Sequence, residues 1–205
     1  MDLDLKDVYE EIAEDFDRTR FNVWPCVSKF LDNLPKDSHG LEIGCGNGKN
    51  MLYRKDIKMD GIDFCNNFVK ICKNKGLNVN ECDMRELNKE DNKYDFTISI
   101  AALHHLYKRE DRVKSIKEQI RVTKIDGLIL ILVWALEQDG EHQTRKFKSQ
   151  DEMVSWKKRK SNKTYYRYYH LYKDNELEEE LKDLNVEIVE SFLERCNYGI
   201  ICRKK

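Results

Sequence analysis

Apolar positions recur along the chain with two different periods. Between residues 5 and 18 they fall at Leu5, Val8, Ile12 and Phe16, the spacing of a helix with one buried face. Pro25 opens a second helix through CVSKFLDNL, which ends before Pro35. Short apolar runs then alternate with helical patterns. GLEIG, MDGID, LNVNEC, YDFTISIA and DGLILILVWA read as five strands, and YDFTISIA and DGLILILVWA are too continuously apolar to face water. Helices are expected from Lys49, over FCNNFVKICKNKG with Gly76 as its stop, and over 109–122, where Val113, Ile116 and Ile120 keep helical spacing. A last helix, NELEEELKDL, leads into VEIVESFLE and NYGIICRK, joined tightly enough to pair antiparallel. The alternation predicts an α/β, Rossmann-like fold. Its sheet is seven-stranded and mostly parallel, with helices on both faces and an antiparallel hairpin at one edge. Residues 1–205 fit a single domain, with the helices of 1–35 over the site and a segment at 138–173 on the substrate side.

Composition narrows the classes. Apolar residues make up 40% and charged residues 37%, with a net charge of −1, so neither disorder nor bulk attraction to nucleic acid follows from the totals. No apolar run approaches the ~20 residues of a membrane span. The N-terminal MDLDLKDVYEEIAEDF is too acidic for a signal or transit peptide, so a cytoplasmic location, extending to the nucleus, is expected. The seven cysteines never form a C-x-x-C pair and mostly sit in apolar runs, so they read as buried thiols and no metal site is expected.

In such a sheet a ligand sits beyond the carboxyl ends of the strands, where LEIGCGNGKN falls. Its G-x-G-x-G spacing fits neither the dinucleotide loop G-x-G-x-x-G nor the phosphate loop, in which the lysine is followed by Ser or Thr. S-adenosylmethionine remains: its methionine end needs close backbone approach, which Gly44, Gly46 and Gly48 permit, and no phosphate cage. Asp63, at the end of the second strand, is placed to accept from ribose hydroxyls, and Asp83, after the third, from the adenine amino group. Phe64 and Met84 flank the ring.

Five segments carry a resemblance: Y-x-x-I-A-x-x-F-x-x-T-R at 9–20 with Trp24-Pro25, the glycine loop, A-x-L-H-H at 101–105, V-W-A-L-E-Q at 133–138, and R-Y-Y-H-L-Y at 167–172. Along nearly its whole length the chain resembles the class I S-adenosylmethionine methyltransferases, and within them the eukaryotic enzymes that methylate the carboxymethyl group on tRNA wobble uridine. The resemblance implies formation of the methyl ester of 5-carboxymethyluridine, in its plain or 2-thio form. It extends the cofactor surface to Tyr9, Glu42, Cys45, Ile100 and Ala101. Because the acceptor is a carboxylate, ionised at neutral pH, it needs no general base. His105 and Arg20 are the implied catalytic residues, with Trp24, His104, Arg167, Tyr168 and His170 on the substrate side. Two departures stand out. The stretch from Gln138 to Arg167 is shorter than is common in that family, and Cys196, Asn197, Tyr198 and Gly199 replace Glu-Asn and two aromatics, which reads as a packing change.

Charge is segregated: residues 141–173 hold ten Lys or Arg against three acids, whereas 174–190 hold eight acids and one lysine. The run Lys157, Lys158, Arg159 and Lys160, interleaved with tyrosines, suits phosphate contact and base stacking, and favours a tRNA substrate over a metabolite. A small-molecule methyltransferase would leave that segment unexplained. A non-catalytic RNA-binding protein on the same fold would bind the cofactor poorly. The resemblance also implies a heterodimer with a small zinc-binding activator protein, docked on the edge of the third strand, LNVNEC, where Phe64, Phe68, Ile71 and Cys72 form an adjoining stripe.

Overall fold

The computed structural model describes residues 2–138, 145–158, 161 and 163–205, with the side chains of 2–4 left aside. Five parallel strands form the centre of the sheet: β1 (His39–Ile43), β2 (Lys58–Asp63), β3 (Asn78–Glu81), β4 (Tyr94–Ile100) and β5 (Thr123–Trp134). Helices α1 (Asp2–Thr19) and α2 (Pro25–Asp32) precede them, while α3 (Asn66–Asn74) follows β2 and α4 (Arg109–Val122) follows β4. Beyond β5 come β6 (Asp151–Lys157), β7 (Thr164–His170), α5 (Glu176–Leu181), β8 (Val186–Glu194) and β9 (Asn197–Lys204). The strand order is β3-β2-β1-β4-β5-β9-β8, with β9 antiparallel to both β5 and β8, so β3 and β8 are the two edges.

The alternation along β5 explains why the sheet is covered twice. Leu130 and Leu132 pack on one face with Val27, Phe30 and Leu31 of α2. Ile129, Ile131 and Val133 pack on the other with Ile116 and Ile120 of α4 and Leu177 and Leu181 of α5. A strand apolar on both faces is buried on both. The hairpin β8–β9 turns through Arg195 (φ 48°) and Cys196 (φ 62°), the left-handed pair of a tight hairpin turn. At the substituted position 199 a Cβ would lie 2.4 Å from the Phe192 ring, so glycine there makes room for Phe192, in keeping with a packing change.

One element differs from expectation, and the segment on the substrate side takes on a defined structure. No helix starts at Lys49. Residues 50–53 form turns, because Asn50 donates its side-chain amide to Glu42 (2.6 Å), and Arg54 reaches the carbonyls of Leu31 (2.6 Å) and Leu34 (2.9 Å). The basic, tyrosine-rich segment forms an antiparallel pair, β6–β7, as a separate two-stranded sheet. Its inner face carries Val154, Trp156, Arg167 and Tyr169, all buried, and its outer face the exposed Met153 and Tyr166.

Candidate functional site

A cavity of about 550 Å³ opens at the carboxyl ends of β1, β2 and β4, walled by α1 and roofed by the inner face of β6–β7. Of the expected residues, Tyr9, Arg20, Trp24, Glu42, Gly44, Cys45, Gly46, Asp63, Phe64, Asp83, Met84, Ile100, Ala101, His105 and Arg167 line it.

The glycine loop and the strand ends build one half. Gly44 N–H and Cys45 N–H both donate to Ile62 O at 2.9 Å, tying the loop to β2. Asp63 spans the same junction, accepting from Gly46 N–H at 2.8 Å and Cys65 N–H at 2.9 Å; burial nonetheless pushes its carboxyl up to about 6. Gly44 has φ +71°, and a Cβ there would meet Ala102 Cβ at 2.4 Å, so only glycine lets the loop pack against Ala102 at the cavity wall. Burial pushes the Glu42 carboxyl up to about 8. Oε1 of Glu42 is taken by Asn50 and Oε2 has no partner. Burial opposes ionisation of Asp83 as well, yet the guanidinium and backbone N–H of Arg85 hold it below the usual carboxylate range. Ala101, directly after β4, has φ +55°, a strained conformation for a residue with a Cβ.

The other half is aromatic and cationic. His105 Nδ1 lies 2.8 Å from the carbonyl oxygen of Tyr168, which can only accept, so Nδ1 carries the proton. Nε2 is therefore the acceptor for the Tyr9 hydroxyl at 2.8 Å. Burial drives the His105 pKa down to about 3, so the ring is neutral. Arg167, 4% exposed, donates to the Tyr9 oxygen at 3.4 Å and faces the rings of Tyr9, Trp156 and Tyr169 at 5.1–5.8 Å. Among the described residues no carboxylate pairs with Arg167, and its Nε has no partner. Arg20 lies 5.0 Å from the Trp156 ring, and Arg145 donates to Ser155 O at 2.9 Å.

Six expected residues lie away from the cavity. Gly48 packs under the loop, where a Cβ would meet Leu77 and Cys72. His104 is fully buried behind His105, accepts from Trp134 N–H at 3.1 Å and stacks on Tyr169. Tyr168 and His170 both bond Asp151, and His170 also bonds Glu176 at 2.7 Å, anchoring β7 from outside. Lys158 donates to the Glu11 carbonyl on α1 at 2.7 Å. Lys157 is exposed at the end of β6, also outside the lining, whereas Arg159 and Lys160 lie outside the described residues. Trp156, Tyr169, Arg145 and Phe16 line the cavity beyond the expected site residues. The signal for the first two was period-2 alternation in SWK and YRYYH, hidden because tyrosine and arginine serve equally as inner or outer residues.

A seven-stranded sheet of this order, a glycine loop after β1 and acids at the ends of β2 and β3 define a class I methyltransferase. Residues 41–131 match the Methyltransferase domain family. The chain is 35% identical to the tRNA (carboxymethyluridine(34)-5-O)-methyltransferase of Schizosaccharomyces pombe, over 96% of this chain and 94% of that protein. It is 30% identical to tRNA (carboxymethyluridine(34)-5-O)-methyltransferase alkbh8 of Xenopus tropicalis, over 96% of this chain but 40% of that longer protein. The chain belongs to this family of tRNA carboxymethyluridine methyltransferases. Among solved structures, a Burkholderia thailandensis 1,6-didemethyltoxoflavin-N1-methyltransferase with bound S-adenosylhomocysteine superposes with a TM-score of 0.72 at 17% identity, covering 99% of this chain and 88% of that one. A putative methyltransferase of Haloferax volcanii, in complex with the Trm112 methyltransferase activator, gives 0.68 at 14% identity, covering 98% of each chain. At these identities the two structures speak to the fold.

The residues fit S-adenosylmethionine, the cofactor of the class. Glu42 keeps an unpartnered oxygen, Asp63 holds lone pairs beyond its two N–H donors, and Phe64, Met84 and Ile100 give apolar walls.

Proposed function

We propose that this chain forms the methyl ester of 5-carboxymethyluridine at the tRNA wobble position, giving 5-methoxycarbonylmethyluridine or its 2-thio form. The observation that carries the reading beyond family membership is Arg167: a buried guanidinium at a cavity wall with no carboxylate partner among the described residues. A buried charge without a counter-ion costs several kcal/mol, and an anionic acceptor offsets that cost. When bound, S-adenosylmethionine would supply an electrophilic methyl group, whose transfer to a carboxylate oxygen breaks the carbon–sulfur bond, releases S-adenosylhomocysteine and removes no proton. The chain's task is then to place and dehydrate an anion, and in-line positioning is worth up to ~7–11 kcal/mol.

In this reading Arg167 and Arg20 hold the carboxylate and Trp24 shapes the acceptor side. Tyr9, fixed by His105, keeps Arg167 in place. His105 is a neutral positioning residue, which matches an acceptor that needs no base. On the cofactor side Asp63 takes the ribose, and Asp83, Phe64 and Met84 take the adenine. The exposed Lys157, with Arg159 and Lys160, serves tRNA phosphates, and Lys158 ties that run to α1. Acceptor discrimination tests the assignment: tRNA bearing the neutral carbamoylmethyl group in place of carboxymethyl is expected to be inert, and equal turnover of the two would remove the anion-binding role.

A small zinc-binding activator fits the edge of β3. Cys82 N–H donates to Asp63 O on β2, so by alternation the N–H groups of Asn80 and Cys82 face β2 and those of Val79 and Glu81 face outward. The α3 stripe is less available than the sequence suggests. Phe68 and Cys72 are buried, and Phe64 and Ile71 pack against the cluster formed by Tyr9, Ile12 and Ala13 of α1. The partner surface is thus the strand edge itself. Among the described residues no helix is long and apolar enough to cross a membrane, and we take the cytoplasm as the site of action.

A further inference from the structure

The five residues between α1 and α2, Arg20 to Trp24, form a strap with two sides. Arg20 and Trp24 line the acceptor cavity, whereas Phe21, Asn22 and Val23 line a second, more open groove of about 500 Å³. Two residues of the glycine loop, Asn47 and Lys49, line both spaces and pin the strap between them. Asn47 donates to the carbonyl of Arg20 at 2.7 Å, and Lys49 donates to the carbonyl of Asn22 at 2.9 Å.

The chemistry of the groove is not that of an ordinary surface. Phe21 is 71% exposed and Tyr53 is 40% exposed, two aromatic rings offered to solvent with Leu52 beside them. Water gives no reason to display them. Lys49 and Lys75 border them; Asp17 pairs with Lys75 and accepts from Asn47, and Asp32 accepts from the Tyr53 hydroxyl at 3.0 Å, which leaves Lys49 as the lining cation without an ion pair among the described residues. Exposed rings beside the Lys49 ammonium match an unpaired nucleotide: the ring takes the base face and the ammonium the phosphate.

We propose that this groove is a subsite for the nucleotide next to the target uridine in the tRNA anticodon loop. The inference rests on the function proposed above. A target base turned out of its stack into the acceptor cavity leaves its neighbour unstacked, and the neighbour must lie close to the cavity. Phe21 directly follows Arg20 in the chain, so a base at Phe21 adjoins one whose carboxylate is at Arg20. Lys49 borders both spaces, so its ammonium stands within reach of the intervening phosphate.

The test uses the full chain, with its activator if one is required, and an anticodon stem–loop carrying 5-carboxymethyluridine at the wobble position. Phe21→Ala and Tyr53→Ala are exposed changes, and cofactor affinity serves as the folding control. Each is expected to weaken stem–loop binding by roughly five- to hundredfold, the range for one lost aromatic stack. The fluorescence quench of 2-aminopurine placed beside the wobble position is expected to disappear with them. Unchanged affinity and quench, with the stem–loop still methylated, would overturn the subsite and leave the proposed function standing. A wild-type chain that binds cofactor yet neither binds nor methylates the stem–loop would remove both. Weakened capture of the activator with unaltered RNA binding would reassign the groove to a protein and contradict the inference.

Discussion

The Tyr9 hydroxyl donates to Nε2 of His105 across 2.8 Å, and the direction of that bond is fixed because Nδ1 of the same ring faces a carbonyl. One hydroxyl thereby joins α1 to the end of β4 while accepting from Arg167. Tyr9→Phe removes the donor and leaves a buried nitrogen without a partner, at a cost of ~1–3 kcal/mol. The expected outcome is a lower midpoint in denaturant together with a reduced kcat. Since the imidazole pKa sits at about 3, the rate profile of the wild type should show no limb near pH 6.5. A limb there that vanishes in His105→Asn would make the ring a base and refute the positioning role.

Arg167→Lys tests the anion site. Lysine keeps the charge but loses the fork geometry and the stacking on Trp156 and Tyr169. A fall in kcat/KM of at least tenfold is expected, with cofactor affinity by calorimetry unaltered. Equal loss of cofactor affinity would place Arg167 on the other half of the cavity.

Asp63 carries a pH prediction. Its carboxyl is raised to about 6, so below that pH the folded protein holds a proton that the ribose hydroxyls must displace. Cofactor affinity in the wild type should therefore fall as pH drops below about 6, by up to tenfold per unit. Asp63→Asn should flatten that dependence and weaken binding at pH 7.5 by ~1.5–3 kcal/mol, or roughly ten- to more than hundredfold. A calorimetric titration unaffected by the change would dismiss the ribose assignment.

Glu42 makes a stability prediction of the opposite slope. Its carboxyl rises from 4.5 to about 8 on folding, so between those values the folded state keeps a proton that the unfolded chain has released. Stability contributed by this site thus decreases as pH rises through that window, by ~1.4 kcal/mol per unit. Glu42→Gln mimics the protonated form, so the variant should gain on the wild type between pH 5.5 and 7.5 in urea unfolding. A difference that does not change with pH would show that the carboxyl ionises freely.

Much of this site was legible in the sequence, and the reasons for the exceptions are physical. Strands β4 and β5 are buried on both faces and so read as unbroken apolar runs, and α4 was bounded correctly because Ile116 and Ile120 keep helical spacing over a charged background. Asp63 and Asp83 line the cavity, as expected where strand ends converge on one side of a parallel sheet. The turn at Lys49 was misread because the commitment of Asn50 to Glu42 is a tertiary contact with no local signature. Of the two adjacent histidines, only the structure separates one that lines the cavity from one that supports Tyr169. The inward position of Trp156 depends on its pairing opposite Tyr165, in strands where tryptophan, tyrosine and arginine can serve on either face.

The β3 edge is tested by Val79→Pro, which deletes an outward N–H and spares the ladder to β2. Loss of activator capture with retained cofactor binding is the expected result. Undiminished capture would move the interface elsewhere.

The most direct measurement of the central claim is mass spectrometry of nucleosides after incubating carboxymethyl-bearing tRNA with the protein and methyl-labelled S-adenosylmethionine, alone and with activator. The account predicts label in 5-methoxycarbonylmethyluridine at the wobble position. Label on any other nucleoside, or none from a protein that binds the cofactor and has its activator present, would contradict it.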